Sequence, residues 1–203
     1  MWDRLRYTLW APAYDAIVGA AGFDTARRLS LDRLRLASGD RVLVVGAGTG
    51  LDLGLLPPNV DVTAIDVTPA MLKHLERRAA RTGGSVTARV MDARHLAFPD
   101  SSFDAVVMHL ILAVMPQPER GLREAVRVLK PGGRIAVFDK FLSEDERPSL
   151  RRRLLNAVAK PLFSDLNRRL GPLISGTRLV TEHDERVAFG GTYRVVTLMK
   201  PDQ

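Results

Sequence analysis

The stretch RVLVVGAGTG, residues 41–50, constrains the fold more than any other part of the chain. Four consecutive apolar residues run directly into three glycines at alternating positions, which predicts a buried strand followed by a tight loop. Glycines let such a loop pass close beneath a ligand. In open α/β folds, ligands bind at the carboxyl edge of the sheet, where this loop would lie. The segment therefore predicts an α/β protein with a ligand site at the end of its first strand.

The spacing of the glycines indicates which ligand this loop does not hold. Dinucleotide-binding folds typically use G-x-G-x-x-G, in which the third glycine lets helix and strand pack closely. Here the third glycine, Gly50, comes one residue early, and Leu51 occupies the expected position. The spacing, and the lack of a Ser/Tyr/Lys-like catalytic set, disfavour a nicotinamide-dependent oxidoreductase. We expect a ligand without a pyrophosphate.

Short apolar runs alternate with longer amphipathic ones along the chain, as in α/β folds with a parallel sheet. The predicted strands are residues 41–45, 60–65, 86–91, 103–108 and 134–139. One helix is predicted from an N-cap at Thr68 and Pro69 to Ala79, and a second over 119–129, ended by a turn at 130–133. A basic helix is predicted near 149–159. Strands near 178–187 and 192–199, joined through Gly190 and Gly191, predict a final antiparallel hairpin.

Composition narrows the class of protein further. With 203 residues and 46% hydrophobic content, one domain is expected. The chain has no cysteine, which excludes disulfides, thiolate metal sites and a cysteine nucleophile. No run approaches the roughly 20 apolar residues of a membrane span, and the first thirty residues do not resemble a signal peptide, so we expect a cytoplasmic protein. We also expect no metal site.

The formal net charge is +7. Residues 146–170 carry seven basic and two acidic side chains, or +5 of that total. Such a charge suits an anionic partner, but a bias toward arginine in the genome would produce it without any binding role.

Four further motifs follow the loop in order: TAIDVTPAML at 63–72, MDA at 91–93, FPDSSFD at 98–104 and LKPGGR at 129–134. Together with the loop, they resemble the class I S-adenosylmethionine-dependent methyltransferases. The closest branch is the ubiquinone/menaquinone-biosynthesis-like one, also called methyltransferase type 11. The resemblance covers residues 38–140. It implies a Rossmann-like three-layer sandwich with a mostly parallel, seven-stranded sheet. We expect a helical cover over 1–37, the cofactor-binding core over 38–140, and a basic helical insert and the hairpin over 141–203.

The resemblance implies S-adenosyl-L-methionine as cofactor and assigns its contacts. Asp66 would accept the ribose hydroxyls, as expected for an acid about twenty residues after the first glycine. Asp92 would accept from the adenine amino group, beside the backbone of Ala93 and Arg94, although a loop-turn role is its alternative. Val67 and Met71 would flank the adenosine, with core packing as the alternative for Met71. The full set of predicted cofactor contacts is Gly46, Ala47, Gly48, Thr49, Gly50, Asp66, Val67, Met71, Asp92, Ala93, Arg94 and His109.

The chain departs from the family pattern at Val44. The family usually places Asp or Glu two residues before the first loop glycine, where it helps to orient the methionine end of the cofactor. Valine cannot accept a hydrogen bond, so another group or water must do so, or the cofactor binds more weakly. A cofactor-binding protein without catalysis is therefore one alternative.

Methyl transfer from a sulfonium requires positioning more than acid–base chemistry. Among the four histidines, only His109 follows the fourth strand, where it would act as a base, a substrate-orienting donor or a wall of the pocket. Tyr14 matches a Tyr-Asp element of this branch, with helix packing as its alternative. The Asn-Pro-Pro-Tyr type signature of nucleobase amino-methyltransferases is absent, so we do not expect nucleic acid as a partner.

The ends of the chain bear on the methyl acceptor. Trp2 and Trp10 lie on one face of a predicted N-terminal helix, and a basic cluster follows at 151–153, as in interfacial helices or an ordinary lid. Short bacterial phospholipid N-methyltransferases are loosely similar here. The sequence predicts a small-molecule or lipid acceptor, a phospholipid amine or a quinone-like compound, with weak peripheral association at the inner membrane face. An RNA or protein methyltransferase is the alternative.

Overall fold

The computed structural model describes residues 23–82, 85–148, 150, 153–154, 156–157, 165 and 167–202. The predicted N-terminal cover, with Trp2, Trp10 and Tyr14, lies outside the described residues except for its last part. The proposed domain boundaries after residues 37 and 140 stay predictions.

The described helices and strands alternate through the first two thirds of the chain. The strands are β1 (Arg41–Val45), β2 (Asp61–Asp66), β3 (Val86–Val90), β4 (Phe103–His109), β5 (Leu129–Lys140), β6 (Val180–Ala188) and β7 (Tyr193–Met199). The helices are α1 (Asp24–Asp32), α2 (Pro69–Thr82), α3 (Pro118–Val128) and the single turn α4 (Gly171–Ile174), with 3₁₀ turns at Leu53–Leu55 and Phe189–Gly191.

All seven strands form one sheet in the order β3-β2-β1-β4-β5-β7-β6. The first five strands are parallel, whereas β7 pairs antiparallel with β5 and β6. The predicted fold class and the C-terminal antiparallel hairpin are thus confirmed. Because β1, β2, β3 and β4 run in the same direction, the residues that follow them meet at one edge of the sheet.

The sheet is covered on both faces, as a parallel sheet requires. On one face, Leu31 of α1 and Leu72 and Leu75 of α2 pack against β1 and β2. On the other face, Leu122 and Ala125 of α3 pack against the central strands. Helix α3 buries positions 118, 121, 122, 125 and 128, the spacing of a single helical face. The core therefore lies in two layers, one on each side of the sheet.

The structure differs from the sequence prediction at the start of the fifth strand. Residues 130–133, predicted as a turn, lie inside β5, which is continuous from Leu129. Its register with β4 shifts between Phe103 and Ala105, so the Pro-Gly-Gly segment forms an irregularity within the ladder rather than a turn. Gly132 has φ of 72° and donates its N–H to the carbonyl of Lys200 at 2.8 Å. Lys200, the residue after β7, thus supplies a hydrogen-bond partner to this irregular segment.

The segment after β5 is attached to the loop between β4 and α3. Nη1 of Arg168 donates to the carbonyl oxygens of Leu112 at 2.7 Å and Met115 at 3.2 Å. The guanidinium of Arg169 donates to the carbonyls of Glu144 and Glu146. Arg168 and Arg169, two cations of the basic segment, therefore serve internal contacts. The predicted basic helix is described at positions 150, 153–154 and 156–157, which are helical.

Candidate functional site

The loop after β1 forms the floor of a cleft at the carboxyl edge of the sheet. Arg27, Leu51, Asp52 and His109 line this cleft together with loop residues 46–49. Gly46 has φ of 66°, and a Cβ there would lie 2.6 Å from the side chain of Ile111, so only glycine fits. At Gly48, φ is 54° and a Cβ would meet nothing within 4 Å. The backbone at Gly48 thus borders open space, as a loop beneath a ligand should.

Asp66 ends β2 directly beside this loop. Its carboxylate accepts the N–H of Gly48 at 3.0 Å and the N–H of Thr68 at 2.8 Å, one on each oxygen. Burial raises the pKa of Asp66 above its ordinary value of 3.8, and the hydrogen bonds offset only part of that shift. A buried carboxylate of this kind gains from any further donor that reaches it. Its place at the edge suits the predicted contact with ribose hydroxyls.

Asp92 lies two residues beyond β3, at the same edge. The Arg94 side chain forms a bidentate ion pair with its carboxylate at 2.7–3.1 Å, and the backbone N–H of Arg94 donates to Oδ1 at 2.9 Å. These hydrogen bonds, the largest cause, hold the pKa of Asp92 below its ordinary value. The structure thus shows the loop-turn role of Asp92, and the adenine contact stays a prediction.

The flanking residues differ in exposure. Val67 is 37% exposed at the edge of the sheet, whereas Met71 is 3% exposed within α2. Ala93 is buried and packs into the core of the α3 face. Val67 is therefore positioned to offer apolar surface to a ligand, while Met71 packs as an ordinary helix residue in this state. Their assignment as adenosine contacts stays a prediction.

His109 ends β4 and lines the cleft, but both of its ring nitrogens are already bonded. Nδ1 lies 2.8 Å from Oδ1 of Asp52, and Nε2 lies 3.0 Å from Oγ of Ser30. Because a carboxylate only accepts, Nδ1 carries a proton, and in the neutral ring Nε2 accepts from the Ser30 hydroxyl. The ring therefore has no free nitrogen for a substrate. This arrangement favours the pocket-wall interpretation over the general base.

The sequence analysis missed Arg27, Ser30 and Asp52. Nη1 of Arg27 donates to Oδ1 of Asp52 at 2.6 Å, the same oxygen that His109 contacts. Burial tends to raise the pKa of Asp52, but its electrostatic interactions and hydrogen bonds with His109 and Arg27 outweigh burial and hold that pKa well below 3.8. The signal was present in the sequence, because two polar residues lie on the buried face of α1, between Ala26 and Leu31.

Asp139, at the end of β5, positions the loop after β4. It is 1% exposed, and it accepts the N–H of Ala113 at 2.9 Å on Oδ2 and the N–H of Lys140 at 2.8 Å on Oδ1. Burial raises its pKa, and burial also lowers the pKa of Lys140. Asp139 therefore holds the loop that continues from His109 at a fixed distance from the sheet.

The edge of the sheet thus brings together a glycine loop, a partly buried acid at the end of the neighbouring strand and a second acid after the next strand. This arrangement defines a class of α/β proteins that bind an adenosyl ligand across the ends of their central strands. Within that class, the chain belongs to the methyltransferase domain family, whose model matches residues 43–137.

Individual relatives agree with this membership. A phosphatidylethanolamine N-methyltransferase of Cereibacter sphaeroides is 38% identical over 158 residues, covering 77% of this chain and 73% of the relative. A demethylmenaquinone methyltransferase of Thermus thermophilus is 33% identical over 173 residues, covering 82% and 75%. The fold is similar to that of geranyl diphosphate C-methyltransferase from Streptomyces coelicolor, solved with S-adenosylhomocysteine (TM-score 0.71, 17% identity, 87% and 79% covered).

The chain is therefore an S-adenosylmethionine-dependent methyltransferase. The residues of the cleft fit that cofactor, because Gly48 leaves open space above the loop and a buried guanidinium nitrogen of Arg27 has no partner among the described residues. In the part of the chain that the structure describes, no group of acidic or histidine side chains has the arrangement of a metal site. Nor does any described helix have the length and hydropathy of a membrane span.

Proposed function

We propose that this methyltransferase acts on an amphiphilic acceptor, either a phospholipid amine or a quinone-like compound, which it takes from a membrane surface. The observation that carries the proposal is the 38% identity to a phosphatidylethanolamine N-methyltransferase over most of both chains. The quinone alternative draws on the demethylmenaquinone methyltransferase, which is similar over as much of its length.

When bound, S-adenosylmethionine supplies an electrophilic methyl group on a sulfonium with a neutral leaving group. The chain has to hold that methyl in line with the acceptor atom, and such positioning can provide about 7–11 kcal/mol of barrier reduction. Gly46–Gly50 and Asp66 would fix the adenosyl part. Asp139, through Ala113, would fix the loop on the other side of His109. The candidate contacts from the sequence analysis, including Thr49 and Ala47 of the loop, stay predictions.

Acceptor chemistry decides whether a base is required. A lipid ammonium must lose a proton before its nitrogen attacks, whereas a quinol carbon is activated by its own hydroxyl. Both nitrogens of His109 are bonded to Asp52 and Ser30, and the remaining histidines, at 74, 95 and 183, are exposed. We therefore infer that the amine, if it is the acceptor, loses its proton to solvent before it enters the cleft.

An exposed apolar surface within the basic segment supports contact with a membrane. Leu150 and Leu154 are 75% and 71% exposed, and their spacing of four places them on one side of a helix. Arg153 beside them is exposed as well. Leucines and cations side by side are typical of an interfacial helix. We propose that this surface and the N-terminal Trp2 and Trp10 hold the protein weakly at anionic membranes.

An acceptor screen tests the proposed function. Purified protein with S-adenosylmethionine labelled in its methyl group would be offered phosphatidylethanolamine vesicles, demethylmenaquinone in vesicles, bulk tRNA and a mixed protein extract. We expect label in one of the two lipid samples and none with the Asp66→Ala variant. Label in tRNA or protein alone would replace the proposal with the RNA or protein alternative. Cofactor binding without transfer to any sample would favour a non-catalytic binding protein.

Flotation with liposomes tests the membrane step separately. Each basic side chain near an anionic surface contributes about 1 kcal/mol, screened within roughly 8 Å at 0.15 M salt. We expect co-flotation with phosphatidylglycerol-containing vesicles at low salt and weaker association at 0.15 M. The Leu150→Ser/Leu154→Ser variant should lose the part that resists salt, while Val180→Ser, at an exposed apolar residue of β6 outside this surface, serves as its control. Absence of flotation even at low salt would leave a water-soluble metabolite as the acceptor.

A further inference from the structure

The buried ion pair between Arg27 and Asp52 keeps polar atoms free at the wall of the cleft. Nε of Arg27 is buried, and no hydrogen-bond partner for it is present among the described residues. The two described side-chain contacts of Asp52, with Arg27 and His109, are both made through Oδ1, which leaves Oδ2 available to a further donor. Buried polar groups almost always have partners in folded proteins. The unpartnered Nε of Arg27 therefore indicates a ligand with an acceptor group, and Oδ2 of Asp52, on the wall of the same cleft, can accept from a donor of that ligand.

The order of the strands shows which part of the cofactor would reach this pair. Asp92 and Asp66, the predicted adenine and ribose contacts, follow β3 and β2, and the glycine loop follows β1. His109, which contacts Asp52, ends β4. From β3 to β4 the edge spans three strand spacings, or about 14 Å. A cofactor whose adenine lies at β3 therefore extends its amino-acid end toward Arg27 and Asp52.

The absence of the family's acid at position 44 also points to Arg27 and Asp52. Val44 is 2% exposed and packs with Leu31 of α1 and Leu53 of the 3₁₀ turn. These are the two elements that present Arg27 and border Asp52. Val44 thus lies in a packed apolar layer, and the elements that cover it carry Arg27 and border Asp52.

We propose that Arg27 and Asp52 bind the zwitterionic end of the cofactor, Arg27 through the α-carboxylate and Asp52 through the α-ammonium. Asp52 thereby takes the role that an acid at position 44 has in relatives. The inference rests on the proposed cofactor site. A planar guanidinium suits a carboxylate, and an ion pair already fixed by His109 loses little freedom on binding. Both are positioning residues, because neither touches the transferred methyl.

Ligands that lack one group at a time test this assignment without relying on turnover. Calorimetry would compare S-adenosylhomocysteine, its decarboxylated analogue and 5′-methylthioadenosine, which lacks the whole amino-acid end. We expect the wild type to bind S-adenosylhomocysteine about ten- to a hundredfold more tightly than the decarboxylated analogue, the effect of one charge-assisted hydrogen bond. In Arg27→Met that preference should fall to within about threefold, while the affinity for 5′-methylthioadenosine stays unchanged.

Arg28→Met is the matched control, because Arg28 is the next residue of α1 and is exposed. It should keep the wild-type preference. Asp52→Asn tests the second half, and should lose the preference for S-adenosylhomocysteine over its deaminated analogue. If Arg27→Met does not fold, Arg27→Lys keeps the charge, and its loss of the carboxylate preference should be partial.

The outcomes separate this inference from the assignment of the cofactor. If the wild type binds neither S-adenosylhomocysteine nor 5′-methylthioadenosine, the cofactor site itself is wrong. If it binds both equally well, or if Arg27→Met retains the full preference for the carboxylate, the cofactor site stands and the role of Arg27 and Asp52 is overturned.

Discussion

Replacing Asp66 with asparagine removes one charge and leaves the shape of the side chain almost unchanged. The carboxylate already accepts from Gly48 and Thr68, at 3.0 and 2.8 Å, one on each oxygen. An amide keeps one oxygen acceptor and turns its NH₂ group toward one of these N–H donors. The ribose hydroxyls then lose a charge-assisted partner, which costs about 1.5–3 kcal/mol. We expect S-adenosylhomocysteine to bind about ten- to a hundredfold more weakly.

Isothermal titration calorimetry at pH 7 measures this change directly. Asp61→Asn is the matched control, because Asp61 is exposed at the other end of the same strand. The affinity of this variant for S-adenosylhomocysteine should equal that of the wild type. Asp66→Ala should weaken binding further, since it also releases the glycine loop. An unchanged dissociation constant for Asp66→Asn, in a protein that melts within a few degrees of the wild type, would refute the ribose assignment.

Three further outcomes are expected. Burial raises the pKa of Asp66 in the free protein, and ribose donors favour its charged form, so cofactor binding should lower that pKa. The affinity for S-adenosylhomocysteine should therefore fall as the pH drops through the free-state pKa of Asp66. The affinity of Asp66→Asn should not change over this pH range, and equal slopes for the two proteins would contradict this linkage. His109→Gln should change binding constants but keep turnover within about tenfold in a steady-state assay, whereas a thousandfold fall with unchanged binding would make His109 the base. Asp139→Asn should lower the free energy of unfolding, measured with urea, by about 1–3 kcal/mol, because the NH₂ group of the asparagine meets the N–H of Ala113 or Lys140. Asp145→Asn, at an exposed residue, should leave the free energy of unfolding unchanged.

The central strands β1 and β4 were predictable because burial on both faces makes them continuous apolar runs, whereas β3 is a largely exposed edge strand. Residues 41–45 were placed without error, and the other four parallel strands differ by one or two residues at their ends, apart from the start of β5. There the Pro-Gly-Gly segment reads locally as a turn. In the structure this segment lies within the strand and Gly132 bonds to Lys200, about seventy residues away, and no local pattern contains that information.

The candidate site likewise contains residues that the sequence could predict and residues that it could not. Asp66 and the glycine loop belong to motifs that follow strands, so their meeting at one edge follows from parallel topology. The contact of Arg27 with Asp52 spans 25 residues, and that of His109 with Asp52 spans 57. Polar residues on the buried face of α1 indicated that partners must exist but not which ones. The missing acid at Val44 was visible in the sequence. The residues that we propose to take its role, Arg27 and Asp52, could be found only from the positions of the elements that cover β1.

The bonds from Arg168 to the carbonyls of Leu112 and Met115 bear on how acceptor preference changes among relatives. The segment after β5 is attached to the loop between β4 and α3 through backbone carbonyl oxygens, which every sequence provides. A chimaera that carries a foreign segment with its own arginine at this position should dock without adjustment of the host loop. A chimaera that lacks the arginine would leave the carbonyls of Leu112 and Met115 without this donor. A segment that brings a new acceptor preference must therefore also bring an arginine that bonds to this loop.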